Sequence, residues 1–485
     1  MSGAATSPAA ALAARLVVGL AGPRCTRAEA AWLARWRPAG VILFARNVTG
    51  RTQLGALCRQ LRALLPAEAE ILADQEGGPV AVAAAALGRP PAAWGLGLVD
   101  DPELTRRVHA ETGARLREAG VTRALAPVAD VLVEARNPVI GARAFGADPA
   151  RVARHAAAAA AGLRAGGVGC CLKHWPGHGG TVADSHERAV ATAEGAQGGP
   201  FWAALAAGAD AVMLGHLPVA DPAEPATPAT LDAAAAGRVR ALVPGARPLL
   251  YADDITMGAL RDAMAARGIL PLGPDPGAGL VEPGALPLAW LQALETGGCD
   301  RLLCRGIPWR ALPGADGPDA AIGGAEFAAC TPPGPDDATE DGAADAGGVY
   351  AEALGRVARA AGGDPFPSAS RRLLWLDATR GDRWGDADAL RGALAGRFAD
   401  VRRLDVPGDC GAVAADALLV TSHRPLGAAA AEAVGAAAGS VGAGGCLALG
   451  HPSLAQDLRA RLPGGWRLTA LPDLAPAALT ALWGG

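Results

Sequence analysis

The chain has 485 residues, 51% of them hydrophobic and 19% charged, with a formal net charge of -4. Its length exceeds that of one ordinary domain, its composition is that of a globular protein, and the lack of a basic stripe excludes a nucleic-acid partner. No segment approaches the roughly 20 apolar residues of a membrane span, no secretory leader is recognisable, and the nine cysteines show no CxxC spacing, so a reduced, cytoplasmic setting away from membranes and without structural zinc is expected.

Short apolar, β-branched runs alternate with helical patterns over the first part of the chain. Strands are predicted at Arg15–Leu20, Gly40–Phe44, Ala69–Ala73, Arg123–Val128, Gly169–Leu172, Ala211–Leu214, Pro248–Tyr251 and Arg301–Leu303. Ala-rich amphipathic stretches lie between them, among them Asp101–Ala119, Pro149–Ala165 and Thr230–Val243. Eight strand signals with helical spacers predict an α/β fold, a parallel (β/α)8 barrel over residues 1–312. A doubly wound open sheet is the competitor, but no GxGxxG follows the first strand. The polar residues fall just after the strands: Asn47, then Asp74 and Glu76, Asp130, the group Lys173, His174 and His178, then His216, and finally Asp253 and Asp254. In a barrel these ends open on one face, where catalytic groups gather.

Two Gly/Pro-rich stretches interrupt the pattern. Gly268–Pro287 follows the seventh strand, and Pro313–Gly348, without lysine or arginine, reads as a solvated linker or insertion. A linking helix is expected within 349–369, at Tyr350–Ala361. A second alternation, with strands at Leu373–Leu376, Val401–Leu404, Ala417–Val420, Cys446–Leu449 and Arg467–Leu471, predicts a small α/β sandwich domain over 370–485.

The skew towards Ala, Gly, Arg and Pro makes rare residues informative. Lys173 is the only lysine, and Asn47 and Asn137 the only asparagines. A compact ammonium does not substitute for a rigid guanidinium, so the lysine suggests a site that needs it; chance is an equal alternative. The densest signal runs from Lys173 to His186, with Asp184 two residues before the last histidine. Its proline and glycines preclude a helix, and its polar groups are expected on a mobile segment. Zinc binding through the histidines is one reading, although the flexible loop has no nearby Cys pair. An Asp184/His186 pair acting as general acid is the other, since a carboxylate neighbour raises the imidazole pKa. A structural turn explains the glycines but not the lysine. Asp253 at a strand end is suited to attack an anomeric carbon, whereas Asp254 reads equally well as a helix cap. Asp74-Gln-Glu-Gly-Gly78 is either a sugar clamp or a Gly-rich loop with solvated charges.

The stretches GVILFARN, ADQEGG, LAPVADV, NPVIGARAFG, CLKHWPGHGGTVADSH, AVMLGH and YADDITMGAL, in this order over residues 12–310, resemble family 3 glycoside hydrolases, specifically their β-N-acetylglucosaminidase branch. The resemblance implies a retaining exo-β-glycosidase of the β-N-acetylhexosaminidase type, acting on small carbohydrate fragments of the cell wall in the cytoplasm, with neither metal nor organic cofactor. It makes Asp253 the nucleophile and His186 the acid/base polarised by Asp184. Asp74, Arg143, Lys173 and His174 then fall at sugar-binding positions. Pro79 and Val82 stand where the family pattern carries arginines, and Arg89 lies close enough in sequence to be a candidate substitute. A phosphorylase and a non-catalytic sugar-binding barrel are the rival readings.

Overall fold

The computed structural model describes residues 7–181, 198–218, 227–268, 280–312 and 349–360, five strands between 372 and 471, and the isolated residues Ser453 and Leu458. Eight parallel strands close into a barrel: β1 Leu16–Gly19, β2 Gly40–Leu43, β3 Glu70–Ala73, β4 Arg123–Ala124, β5 Gly169–Trp175, β6 Ala211–Leu214, β7 Leu249–Ala252 and β8 Arg301–Cys304. Each pairs with its sequence neighbours, and β8 closes on β1 with Leu302 opposite Leu16.

The period-two alternation of each strand divides the core into two layers. Val17, Ile42, Leu72, Met213, Tyr251 and Leu303 fill the barrel interior, while their neighbours Val18, Val41, Ile71, Val212, Leu250 and Leu302 face the surrounding helices. A one-residue slip would reverse both sets, and each large side chain contributes about 1.5–3 kcal/mol through burial. Helices Pro102–Ala119 and Pro149–Ala165 start on Asp101 and Asp148, whose carboxylates accept from first-turn amides, each with proline at the first helical position. They pack closely because Gly162 faces the partner backbone; a Cβ there would stand 2.3 Å from the Arg106 carbonyl oxygen.

The strand starts are tied by charge. Arg123 donates to Glu70 at 2.7 Å and to Asp210 at 2.8 Å, and the Tyr251 hydroxyl also donates to Glu70. This cluster joins β3, β4, β6 and β7 at the end of the barrel opposite the polar strand ends.

The fifth strand corrects one expectation. It extends to Trp175 rather than ending at Leu172, so Lys173 and His174 sit in a buried strand and not on a mobile segment. The carbonyl of Lys173 accepts from Ala129 N at 2.8 Å and that of Trp175 accepts from Gly215 N at 2.8 Å, which extends the backbone bonding past the apolar run. β4, conversely, is shorter than its apolar run, because Pro127 lacks the N–H that the ladder needs.

The predicted linking helix is Val349–Ala360, and it packs on the barrel rather than standing apart. Tyr350 shares a 2.7 Å hydrogen bond with Thr112, and Arg356 meets Asp101 at 2.7 Å. The five later strands, β9 Arg372–Asp377, β10 Asp400–Asp405, β11 Ala417–Ser422, β12 Gly445–Gly450 and β13 Arg467–Leu471, form a separate parallel sheet in the order β10-β9-β11-β12-β13. That is a doubly wound order. The stretch 313–348 lies outside the described residues, as does 269–279 of the other Gly/Pro-rich stretch.

Replacing Arg123 by Met should destabilise the barrel by about 3 kcal/mol, chiefly because the largely buried Glu70 loses its cation, whereas Asp210 keeps Arg164. Urea unfolding compared with the parent chain measures it, and a midpoint that does not move would show the cluster to be incidental.

Candidate active site

The ends of β3 and β5 meet through one buried ammonium. Lys173 Nζ lies 2.5 Å from both Asp74 Oδ1 and Glu76 Oε1, with its side chain only 2% exposed. Glu76 also accepts both arms of Arg143, Nε at 2.8 Å and Nη2 at 2.9 Å. Two cations and two carboxylates form a neutral set, which makes their burial tolerable. Burial alone would raise the pKa of Glu76, but Arg143 and Lys173 outweigh it and hold the value at about 2. Burial pulls the Lys173 pKa down, and Asp74 and Glu76 raise it above the ordinary lysine value. Glu76, Lys173 and Arg143 are therefore charged at neutral pH.

The local sequence explains the geometry. Asp74 and Glu76 are alternate residues of extended chain, so both side chains reach the same face. The Gly-Gly turn that follows needs glycine: Gly77 has φ 111° and a Cβ would stand 2.3 Å from the Pro91 carbonyl oxygen. Arg89 donates to the Gly78 carbonyl at 2.5 Å, bracing the turn, while Val82 packs against the apolar core.

His174 faces this quartet. Its Nδ1 is 2.8 Å from Asp130 Oδ2, and its Nε2 is 3.3 Å from Arg143 Nη2. A carboxylate on one side and a guanidinium on the other assign the proton to Nδ1 and leave Nε2 as acceptor. Burial, reinforced by Arg143, takes the His174 pKa well below its usual value, so the ring is neutral. Asp130, wholly buried, also accepts the backbone N–H of His174 and of His178, the latter at 2.7 Å. Burial raises the Asp130 pKa, against these hydrogen bonds. Asn137 secures the next turn: its amide donates to the carbonyls of His178 at 2.7 Å and Thr181 at 3.0 Å, and its oxygen accepts from Ile140 N at 2.7 Å. The chain entering the segment 182–197 is thereby fixed at its base.

Asp253 and Asp254 follow β7 and play different parts. Asp254 Oδ1 accepts from Thr256 N at 3.0 Å and Thr256 Oγ1 at 2.8 Å, a local turn cap, and burial raises its pKa. Asp253 is half-buried, and its Oδ1 accepts from Asp254 N at 2.8 Å. Its negative charge reaches both His174 and His178, where it favours protonation against the stronger effect of burial. His216, after β6, bridges Thr230 Oγ1 at 2.9 Å and the Asp254 carbonyl at 2.8 Å, which sets the turn that carries Asp253.

The structure thus brings together Asp74, Arg143, Lys173 and His174, with Asp253 in electrostatic reach. Asp184 and His186 lie outside the described residues. Glu76 and Asp130 were not assigned roles from sequence, although both follow strands among the polar residues; their signal was position without a known partner. A zinc site at His174 is disfavoured by its donors, since both ring nitrogens face protein partners and His178 Nδ1 faces Thr181 Oγ1 at 2.8 Å.

Residues 11–267 match the Glycosyl hydrolase family 3 N terminal domain. The chain belongs to this family. It is 36% identical over 261 residues to a beta-hexosaminidase of Xylella fastidiosa, covering 51% of this chain and 76% of that protein. It is 37% identical over 271 residues to a beta-hexosaminidase of Xanthomonas campestris, covering 52% and 79%. A glycoside hydrolase family 3 beta-N-acetylglucosaminidase from Paenibacillus superposes with a TM-score of 0.74 at 21% identity, covering 99% of this chain and 96% of that one, so the similarity of fold extends through the second sheet.

Acid should loosen the quartet through Glu76. A depressed folded-state pKa contributes stability that is complete above the unfolded value, near 4.5, and is lost as pH falls towards about 2. The stability difference between the parent and Glu76→Gln, followed by urea unfolding, should therefore be large at pH 7 and shrink across that window. A difference independent of pH would mean that Glu76 acts through packing and not charge.

Proposed function

We propose that this family 3 glycoside hydrolase is a retaining exo-β-N-acetylglucosaminidase. The observation that carries the reading is Asp253, half-buried at the end of β7 and in electrostatic reach of His174, which adjoins the buried quartet. The two beta-hexosaminidase relatives support the choice of sugar. In this reading Asp253 attacks the anomeric carbon, and His186, polarised by Asp184, protonates the departing oxygen and then activates water, so that the β-configuration is restored. Asp74 accepts from ring hydroxyls, Lys173 and Arg143 donate to them, and His174 offers its Nε2 lone pair. Cell-wall-derived fragments ending in N-acetylglucosamine are the proposed substrate and the cytoplasm the proposed setting, both resting on the resemblance in sequence.

A panel of 4-nitrophenyl β-glycosides tests the specificity: the N-acetylglucosaminide should be cleaved best, and preference for the glucoside or xyloside would overturn the assignment of sugar. His186→Ala tests the acid. General acid catalysis contributes about 10²–10⁴-fold, so disaccharide cleavage should fall by that order while dinitrophenyl glycosides, whose leaving group needs no proton, form the glycosyl-enzyme at nearly the parent rate. Equal losses on both substrates would assign His186 a structural part.

A further inference from the structure

The Gly/Pro-rich stretch that follows β7 returns to the barrel at the turn carrying Asp253. Where the described chain resumes, Val281 N donates to the Thr256 carbonyl at 2.7 Å. Arg310 N, beyond β8, donates to the Gly284 carbonyl at 3.1 Å, so the end of the stretch joins that turn to the loop after β8. Helix Leu288–Glu295 comes next, and its spacing turns Trp290, Leu291 and Leu294 into the core while Leu288 stays exposed. Trp290 is wholly buried, and its Nε1 donates to the Ile255 carbonyl at 3.1 Å.

A buried indole N–H usually finds an acceptor, and a core tryptophan needs no further role to explain one. The backbone that Trp290 holds is what sets it apart. Residues 253–257 form a turn whose peptide groups are engaged on several sides. Asp253 N donates to the Leu214 carbonyl at 3.0 Å and Ile255 N to the Leu303 carbonyl at 2.8 Å, tying the turn to β6 and β8. The Asp254 carbonyl accepts from His216 Nε2 at 2.8 Å and from Met257 N at 3.0 Å. The peptide between Ile255 and Thr256 accepts from Trp290 at its carbonyl, while its N–H donates to Asp254 Oδ1 at 3.0 Å.

A short path of hydrogen bonds therefore runs from the indole to the nucleophile. Trp290 fixes the plane of the 255–256 peptide, and that peptide, with the Thr256 hydroxyl, orients the Asp254 carboxylate. Asp254 N in turn donates to Asp253 Oδ1 at 2.8 Å. The carbonyls of Asp254, Ile255 and Thr256 are held from three places: the loop after β6, helix Leu288–Glu295 and the end of the Gly/Pro-rich stretch. A carboxylate that must meet a carbon in line gains from such a hold, since a displacement of about 1 Å can cost about a hundredfold in rate.

We propose that Trp290 is a positioning residue for Asp253, acting together with Val281 through the backbone of the 253–257 turn. Its effect on catalysis rests on the glycosidase reading; its hold on the turn does not.

Trp290→Phe keeps an aromatic ring in the core and removes the N–H. Val281→Pro removes the second donor without altering a fully buried side chain, and it carries the test if the first variant does not fold. Hydrogen exchange of the full chain, read by mass spectrometry, should quicken about tenfold across 253–257 in either variant, as for one lost hydrogen bond, and not in β3 or β5. With a dinitrophenyl β-N-acetylglucosaminide, the burst amplitude counts the folded active sites. The burst rate per site should fall about 10–100-fold, while inhibition by free N-acetylglucosamine, which reports on the quartet, stays as in the parent. A tryptophan that serves the core alone predicts a lower unfolding midpoint with the parent's exchange in the turn and the parent's burst rate. Either an unchanged exchange or an unchanged burst rate overturns the proposal. Faster exchange in the turn of the variants, with no burst from the parent, would uphold the hold on the turn and sink the glycosidase reading instead.

Discussion

A lysine ammonium withdrawn from water beside two carboxylates organises this active site. Taking such a charge out of water costs several kcal/mol, and close partners recover that cost only when their geometry is good. Lys173 meets the condition with Asp74 and Glu76 at 2.5 Å, and Arg143 completes the set by a two-armed pair with Glu76. Each member depends on the others, because removing one leaves a buried charge without compensation. The same bonds tie β3, the loop after β4 and β5 into one unit. A pocket built in this way is organised before any ligand arrives, which is what transition-state stabilisation requires.

From this quartet the constraints pass outward through hydrogen bonds. His174 stays uncharged between Asp130 and Arg143, and Asp130 carries the hydrogen bond onward to His178. Asn137 then holds the His178–Thr181 turn. The segment bearing Asp184 and His186 starts from this anchored turn. The two aspartates after β7 show how position separates roles that composition leaves equal. Asp254 is occupied with its turn, whereas the charge of Asp253 reaches His174 and His178.

Much of this was legible in the sequence, for physical reasons that differ from element to element. The strands announced themselves because alternate residues serve two apolar layers, and the boundaries of β6 and β13 agree with the expected ones at both ends. Lys173 stood out because arginine takes every other cationic position. What stayed hidden was pairing across the barrel: period and spacing place Glu76 and Asp130 at strand ends but do not say which cation or ring they face. The expected mobility after residue 172 failed for the same reason. Glycine and proline mark a turn from Pro176 onward, while the preceding Lys173 and His174 are held by partners about 100 and 44 residues distant in sequence.

The central claim is that Asp253 forms a bond to the sugar, and peptide mapping of a trapped intermediate tests it most directly. A slowly hydrolysed fluorinated β-glycoside with a dinitrophenolate leaving group is mixed with the enzyme, and the digest is read by tandem mass spectrometry. The account predicts one glycosyl adduct on the peptide containing Tyr251–Met257, with the fragment ions placing it on Asp253 and no adduct in Asp253→Asn. An adduct on Asp254, or inactivation with the sugar attached elsewhere, would contradict it.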